Sequence, residues 1–171
     1  SIENGKITST AVVPLSDYDG SLNDAGAVQE AYTRQLEKNL EQLKSSGASK
    51  DKIDALEFAI ASAQNRNSNP SDAIDRIDNY LNSDRTAKSE LNAKMALAEL
   101  YAQRATNPEV PIGTSFLDWE KTSRALSARD YQASIDTYKS VKESSSASRE
   151  QQEAASFGLA EVYRNSGDII S

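Results

Sequence analysis

Three observations predict an all-α fold. From residue 25 onward, apolar residues recur at steps of three and four; seven Gly and four Pro are few for 171 residues; and no run alternates apolar and polar residues convincingly enough for a strand.

Residues 1–24, SIENGKITSTAVVPLSDYDGSLND, mix turn-forming and polar residues with one brief apolar run, Ala11 to Leu15, and read as an extended tether or irregular arm. From Ala25 the pattern becomes helical: Val28, Tyr32, Leu36, Leu40 and Leu43 form one narrow apolar stripe, with Glu30, Arg34, Glu37, Lys38 and Glu41 between them. Gly47, within SSGAS, is a natural left-handed cap for that helix. A second helix is predicted over 50–65, with Ile53, Leu56, Ile60 and Ala63 inward. NRNSNPSD (65–72) is a turn, and Pro70 suits the first turn of the next helix, where its missing N–H needs no partner. That helix carries Ala73, Ile74, Ile77, Tyr80 and Leu81 on one face.

SELNAKMALAELYAQRA (89–105) is the strongest helical stretch, built from residues of high helix propensity. TNPEVPIGTS (106–115) breaks the pattern with two prolines and a glycine. FLDWEKTSRALSA (116–128), RDYQASIDTYKSVKES (129–144) and SREQQEAASFGLAEVYRNSGD (148–168) each read as a further helix.

Composition narrows the chemistry. Hydrophobic residues make up 37% and charged residues 26%, enough of the former for a folded core. A formal charge of −7 argues against DNA, RNA and anionic membranes as partners, because binding them requires Lys and Arg to displace counterions. With neither cysteine nor histidine, disulfides, most zinc sites and every Ser-His or Cys-His nucleophile are excluded, and no cofactor is implied. No apolar run reaches the length of a membrane span, so no direct membrane insertion is expected. A polar leading arm and freedom from cysteine suit a bacterial cell-envelope protein tethered at its N-terminus, and suit a cytosolic one equally.

Internal repetition comes next. LAELY (97–101) and LAEVY (159–163) are nearly the same pentapeptide, 62 residues apart. Leu97, Ala98 and Tyr101, and again Leu159, Ala160 and Tyr163, take the Leu, small and Tyr places of a W-x2-L-G-x2-Y pattern, and Gly167-Asp168 supplies a turn after the second copy. ARDYQASIDTYKSVKES has the look of a repeat's second helix, with Ser134 in the small place and Ile135, Tyr138 and Val141 inward; SDAIDRIDNYL, with Ala73 in the small place, is an earlier counterpart. In these features the chain resembles the tetratricopeptide repeat family in divergent form, with Lys94 and Ser156 where that family has a large aromatic residue.

The resemblance implies an antiparallel helix-hairpin stack, an α-α superhelix, with an extra N-terminal helix. The expected organisation is a single helical domain over 25–171: a leading helix at 25–46, a degenerate repeat at 50–83, a repeat at 88–144 with an insertion at 106–128, and a capping or truncated repeat at 148–171. In such stacks the first helix of each unit lines a concave groove that binds peptides or protein segments. Asn92, Met95, Glu99 and Gln103 in one unit, and Phe157, Glu161, Arg164 and Asn165 in the next, fall outside the packing pattern and become the groove residues to inspect. Met95 and Phe157 occupy matching places; they are either apolar anchors for a partner or contacts with the preceding hairpin. A clamp for a C-terminal carboxylate is not expected, since Glu99 and Glu161 stand where it needs donors. Trp119, the sole tryptophan, lies with Val110, Ile112, Phe116 and Leu117 in the insertion, and either docks on a partner or folds back over the hairpin's open edge.

The function expected is a non-catalytic protein-protein interaction module or scaffold that binds a peptide or helix of a partner protein. The alternative is a structural subunit that associates through AVQEAYTRQLEKNLEQL, as a homo-oligomer or within a complex. A remoter reading is a carboxylate-based glycan-processing enzyme: Asp72, Asp75 and Asp78, or Glu37 and Glu41, share helix faces, though a solvated helix face accounts for the same spacing.

Overall fold

The computed structural model describes residues 2–3, 6–7, 25–63 and 69–170; the apolar run from Ala11 to Leu15 lies outside them. Within the predicted arm, Ile2–Glu3 (β1) and Lys6–Ile7 (β2) pair antiparallel, Ile2 opposite Ile7 and Glu3 opposite Lys6. Everything else of regular structure among the described residues is helical, and the fold is an all-α stack.

The chain divides into two compact units, 1–66 and 67–171. The division falls inside the repeat predicted at 50–83. In the first unit, α1 (Ala25–Ser45) and α2 (Lys50–Ala63) form an antiparallel hairpin. Lys44 Nζ reaches Glu57 at 3.1 Å near the turn, and the Gln29 side-chain amide donates to the Ala63 carbonyl at the open end. Gly47 takes φ +70° and ends α1 in the left-handed conformation expected of it, with Ala48 N donating to Leu43 O at 3.1 Å. Ala31, Leu36 and Ala63 are buried; Tyr32, Leu40, Leu43, Ile53, Leu56 and Ile60 are half-buried, and Val28 is exposed.

The second unit contains α3 (Pro70–Leu81), α4 (Ala87–Thr106), α5 (Phe116–Glu143) and α6 (Arg149–Ile170), each packed on the next, with α6 also touching α4. The helices start where side chains can satisfy their first N–H groups. Asn69 Oδ1 accepts from Asp72 N at 2.8 Å with Pro70 directly behind the cap, Thr86 caps α4, and Ser115 caps α5. At α6 the capping is reciprocal: Gln151 N donates to Ser148 Oγ and Ser148 N donates to Gln151 Oε1, both at 3.1 Å.

The α4–α5 seam sets the geometry of this unit. Leu91, Ala98 and Ala105 recur every seven residues on α4, while Ser127, Ser134 and Val141 do so in the opposite sense on α5. Ser134 Oγ donates to Ala98 O and Ser127 Oγ to Ala105 O, both at 2.7 Å. Small residues facing each other allow the backbones to come this close, the reason a small residue is needed at Ser134. Beside the seam, Arg104 of α4 holds Asp130 of α5 through two bonds, Nε to Oδ2 at 2.8 Å and Nη2 to Oδ1 at 2.9 Å. The Arg104 Nη1 donates to Ser71 Oγ on α3 at 3.0 Å, so one guanidinium ties three helices together. Its hydrogen bond to Asp130 raises the Arg104 pKa above its ordinary value against the opposing effect of burial.

Two expectations are corrected here. The two helices predicted at 116–128 and 129–144 are one uninterrupted helix, Phe116–Glu143, so the predicted insertion consists of a connection at 107–115 and an N-terminal extension of α5. Because Ser127 bonds Ala105 at the end of α4, residues 116–126 overhang that end by about three turns. Gly167-Asp168 makes no turn: α6 continues through it to Ile170, and the only described glycines with positive φ are Gly47 and Gly113. Helical hydrogen bonding carried over from the preceding turns outweighs the modest propensity penalty of one exposed glycine.

Asp130 is 1% exposed, so Asp130→Ala leaves the Arg104 guanidinium without its counter-charge. Urea unfolding is expected to show a loss of about 3–5 kcal/mol.

Candidate functional site

The three faces of α4 are legible from helical geometry. Leu91, Ala98 and Ala105 meet α5 and belong to the core cluster containing Ala155, Leu159 and Val162 of α6. Ala93 and Leu97 are buried on another face, outside that cluster. Asn92, Met95, Glu99 and Gln103, four apart or three apart, share the remaining flank. That flank turns toward α6: Gln151 Nε2 donates to Asn92 Oδ1 at 2.8 Å and to Lys88 O at 3.1 Å. These bonds join the N-terminal ends of α4 and α6, so the two helices run side by side in the same direction over α5.

Between them stands Tyr138 of α5. Its ring end lies against Gly158 of α6 so closely that a Cβ on that glycine would come within 2.4 Å of Tyr138 Cζ. The hydroxyl senses Glu99 from α4 and Glu161 from α6: burial first, and then these two carboxylates, raise its pKa above the ordinary tyrosine value. Phe157 precedes Glu161 by one turn on α6 and is 68% exposed. The α4–α6 groove thus has a tyrosine floor, a carboxylate on each wall and an exposed aromatic ring beside them. Arg164 Nη2 lies 3.6 Å from Glu161 Oε1 in a solvent-exposed pair.

Of the residues singled out from the sequence, Asn92, Glu99 and Glu161 come together along this groove. Met95 and Phe157 do not behave alike. Met95 is half-buried and packs against the core cluster, whereas Phe157 projects into solvent instead of packing on the preceding hairpin. The two pentapeptides also differ: Ala98 is fully buried but Ala160 is exposed, and Tyr101 is half-buried but Tyr163 is 47% exposed. The reason is that α4 has α3 on one side and α5 on the other, while among the described residues α6 packs on α5 and, slightly, on α4. Tyr138 and Gln151 were not singled out as groove residues. Ser148 and Gln151 did carry a readable signal, the S-x-x-Q spacing of a capping box.

Trp119 lies elsewhere. Nineteen residues before Tyr138 on the same helix, it lies about 28 Å away at the rise of an α-helix. It is 53% exposed, and Ile112, Phe116 and Leu117 around it are almost fully exposed, so the apolar end of α5 does not fold back over the hairpin. Phe116, Leu117, Trp119 and Glu120 line a shallow depression of about 420 Å³ there. The end is closed by Ser115 Oγ and Asp118 Oδ2, 2.6 Å apart, and Gly113, at φ +94°, forms the turn that leads into it, with Thr114 N donating to Pro111 O at 3.2 Å.

The carboxylates considered for catalysis lie on two helices, α3 and α1. Asp72 and Asp75 are exposed; Asp78 is half-buried, and burial followed by the nearby Asp75 charge raises its pKa. Glu37 and Glu41 are exposed on α1. No group of three or more acidic residues among the described residues could hold a metal ion, and no described helix is long and apolar enough to cross a membrane. Compared with protein-family models, curated proteins and solved structures, the chain has no match.

Two measurements check this geometry. Gly158→Val pushes a branched side chain into the space of the Tyr138 ring and is expected to lower stability by about 1–3 kcal/mol; in a Tyr138→Ala background the added loss shrinks, which a double-mutant cycle in urea reads directly. For the far end of α5, the emission of the single tryptophan is expected to be that of a water-exposed indole, readily quenched by acrylamide. Trp119→Ala should leave urea stability within about 0.5 kcal/mol.

Proposed function

We propose that this chain is a non-catalytic protein-binding module whose α4–α6 groove receives an extended segment or helix of another protein, in the service of a scaffold or assembly role. The observation that carries the reading is the juxtaposition of two parallel helices with a groove between them, in which Asn92, Glu99, Tyr138 and Glu161 present polar groups and Phe157 presents an uncovered ring. Rigid walls set by the α4–α5 seam suit recognition, since an ordered surface loses little entropy on binding. An exposed aromatic residue next to charged groups is the kind of anchor on which binding energy concentrates.

The exposed apolar end of α5, around Phe116, Leu117 and Trp119, offers a second contact surface for the same kind of partner. The resemblance to tetratricopeptide repeats supports the same reading, since such repeats use the corresponding groove.

The test is selection of a displayed library of random 12-residue peptides on the immobilised chain. Binders are expected, and Phe157→Asp should weaken them about ten-fold or more while leaving the helical circular dichroism unchanged. Met95→Asp is the wrong probe, because it places a charge at the edge of the core. Enrichment of no sequence, or binders indifferent to Phe157→Asp, overturns the groove as the binding surface.

A further inference from the structure

Tyr138 is 9% exposed, yet its hydroxyl makes no hydrogen bond among the described residues. No buried side-chain oxygen or nitrogen is left unsatisfied among them, so this hydroxyl reaches solvent through the groove. A tyrosine held this firmly, with its ring slotted against Gly158, presents a fixed acceptor at the groove floor.

Its neighbours fix the sign of what can sit there. Glu99 on one wall makes no ion pair among the described residues, and Glu161 on the other is paired only with exposed Arg164 at 3.6 Å, a surface contact of little strength that a better-placed cation displaces. Phe157, one turn from Glu161, offers an apolar face of the kind that covers the methylene stem of a long cationic side chain or stacks on its head. A carboxylate or phosphate would meet two negative charges, a repulsion that the single O–H of Tyr138 does not offset.

We infer that the α4–α6 groove seats a lysine or arginine side chain of the partner segment, with Glu99 and Glu161 as counter-charges, the Tyr138 hydroxyl as acceptor and Phe157 against the stem. The inference rests on the groove being the binding surface and adds the chemistry of the partner: a basic segment. The acidic character of the chain as a whole, −7 at neutral pH, draws such segments in from a distance.

The experiment uses the same 12-residue library, selected in parallel on the wild-type chain, on Glu99→Gln/Glu161→Gln, and on Asp136→Asn/Glu143→Gln, which removes two exposed charges of α5 that face Lys139 and not the groove. The expected result is enrichment of Lys or Arg at one position of the wild-type binders. Affinity should fall about ten-fold or more on Glu99→Gln/Glu161→Gln and hold within about two-fold on the control pair. Tyr138→Phe, which keeps the ring and drops the hydroxyl, should weaken the same peptides by a smaller factor. Groove binders that depend on Phe157 but show no basic position, or that lose equal affinity on both charge-neutralised chains, overturn the inference and leave the groove reading standing. Absence of any Phe157-dependent binder removes both.

Discussion

The close approach of α4 to α5 is the constraint from which the rest of the second unit follows. Where Ala98 and Ala105 meet Ser134 and Ser127, no side chain is large enough to hold the helices apart, and the two serine hydroxyls each find a carbonyl on the facing helix. Polar atoms buried in this way are satisfied and directional, so they select one register as well as one distance. The Arg104–Asp130 pair sits in that register and extends it to α3 through Ser71. With α5 fixed on α4, its other flank, carrying Tyr131, Ile135 and Tyr138, becomes the floor on which α6 lies.

Much of this was readable in the residues, for a plain reason. Helices announce themselves through a period of 3.6 and through punctuation, and here both are clean: Gly47, Pro70 and the proline-rich break after residue 106 each end or begin an element near the predicted place. Glycine 167 misled because its meaning depends on its surroundings: one glycine in an exposed turn of helix neither stops nor bends it. The join between 128 and 129 was invisible for the opposite reason. A tryptophan-bearing stretch after two prolines looks like a separate piece until the continuous hydrogen bonding of α5 is seen.

The groove was legible in its walls and not in its floor. Asn92, Glu99 and Glu161 could be picked out because helical spacing marks residues that no packing pattern claims. Tyr138 could not, because in the sequence it belongs to the inward-facing set of its own helix, and only the missing side chain of Gly158 on the neighbouring helix lets its hydroxyl reach the surface. Gln151 is a similar case. Its capping duty is written in the local sequence, but the second duty of its amide, to Lys88 and Asn92, exists only once α6 lies beside α4. One side chain therefore begins a helix and docks it, which makes the start of α6 and the width of the groove a single event.

The overhang of α5 has a different consequence. Its first three turns are held by backbone bonds along their own axis and by the Ser115 cap, with most of their side chains in water. Such a segment draws its order from the hairpin at its base, much as a plank is steadied by the part of it that rests on the dock. Winding or unwinding at its tip would leave the seam untouched, so Phe116, Leu117 and Trp119 sit on a stretch of helix that can adjust without disturbing the register below it.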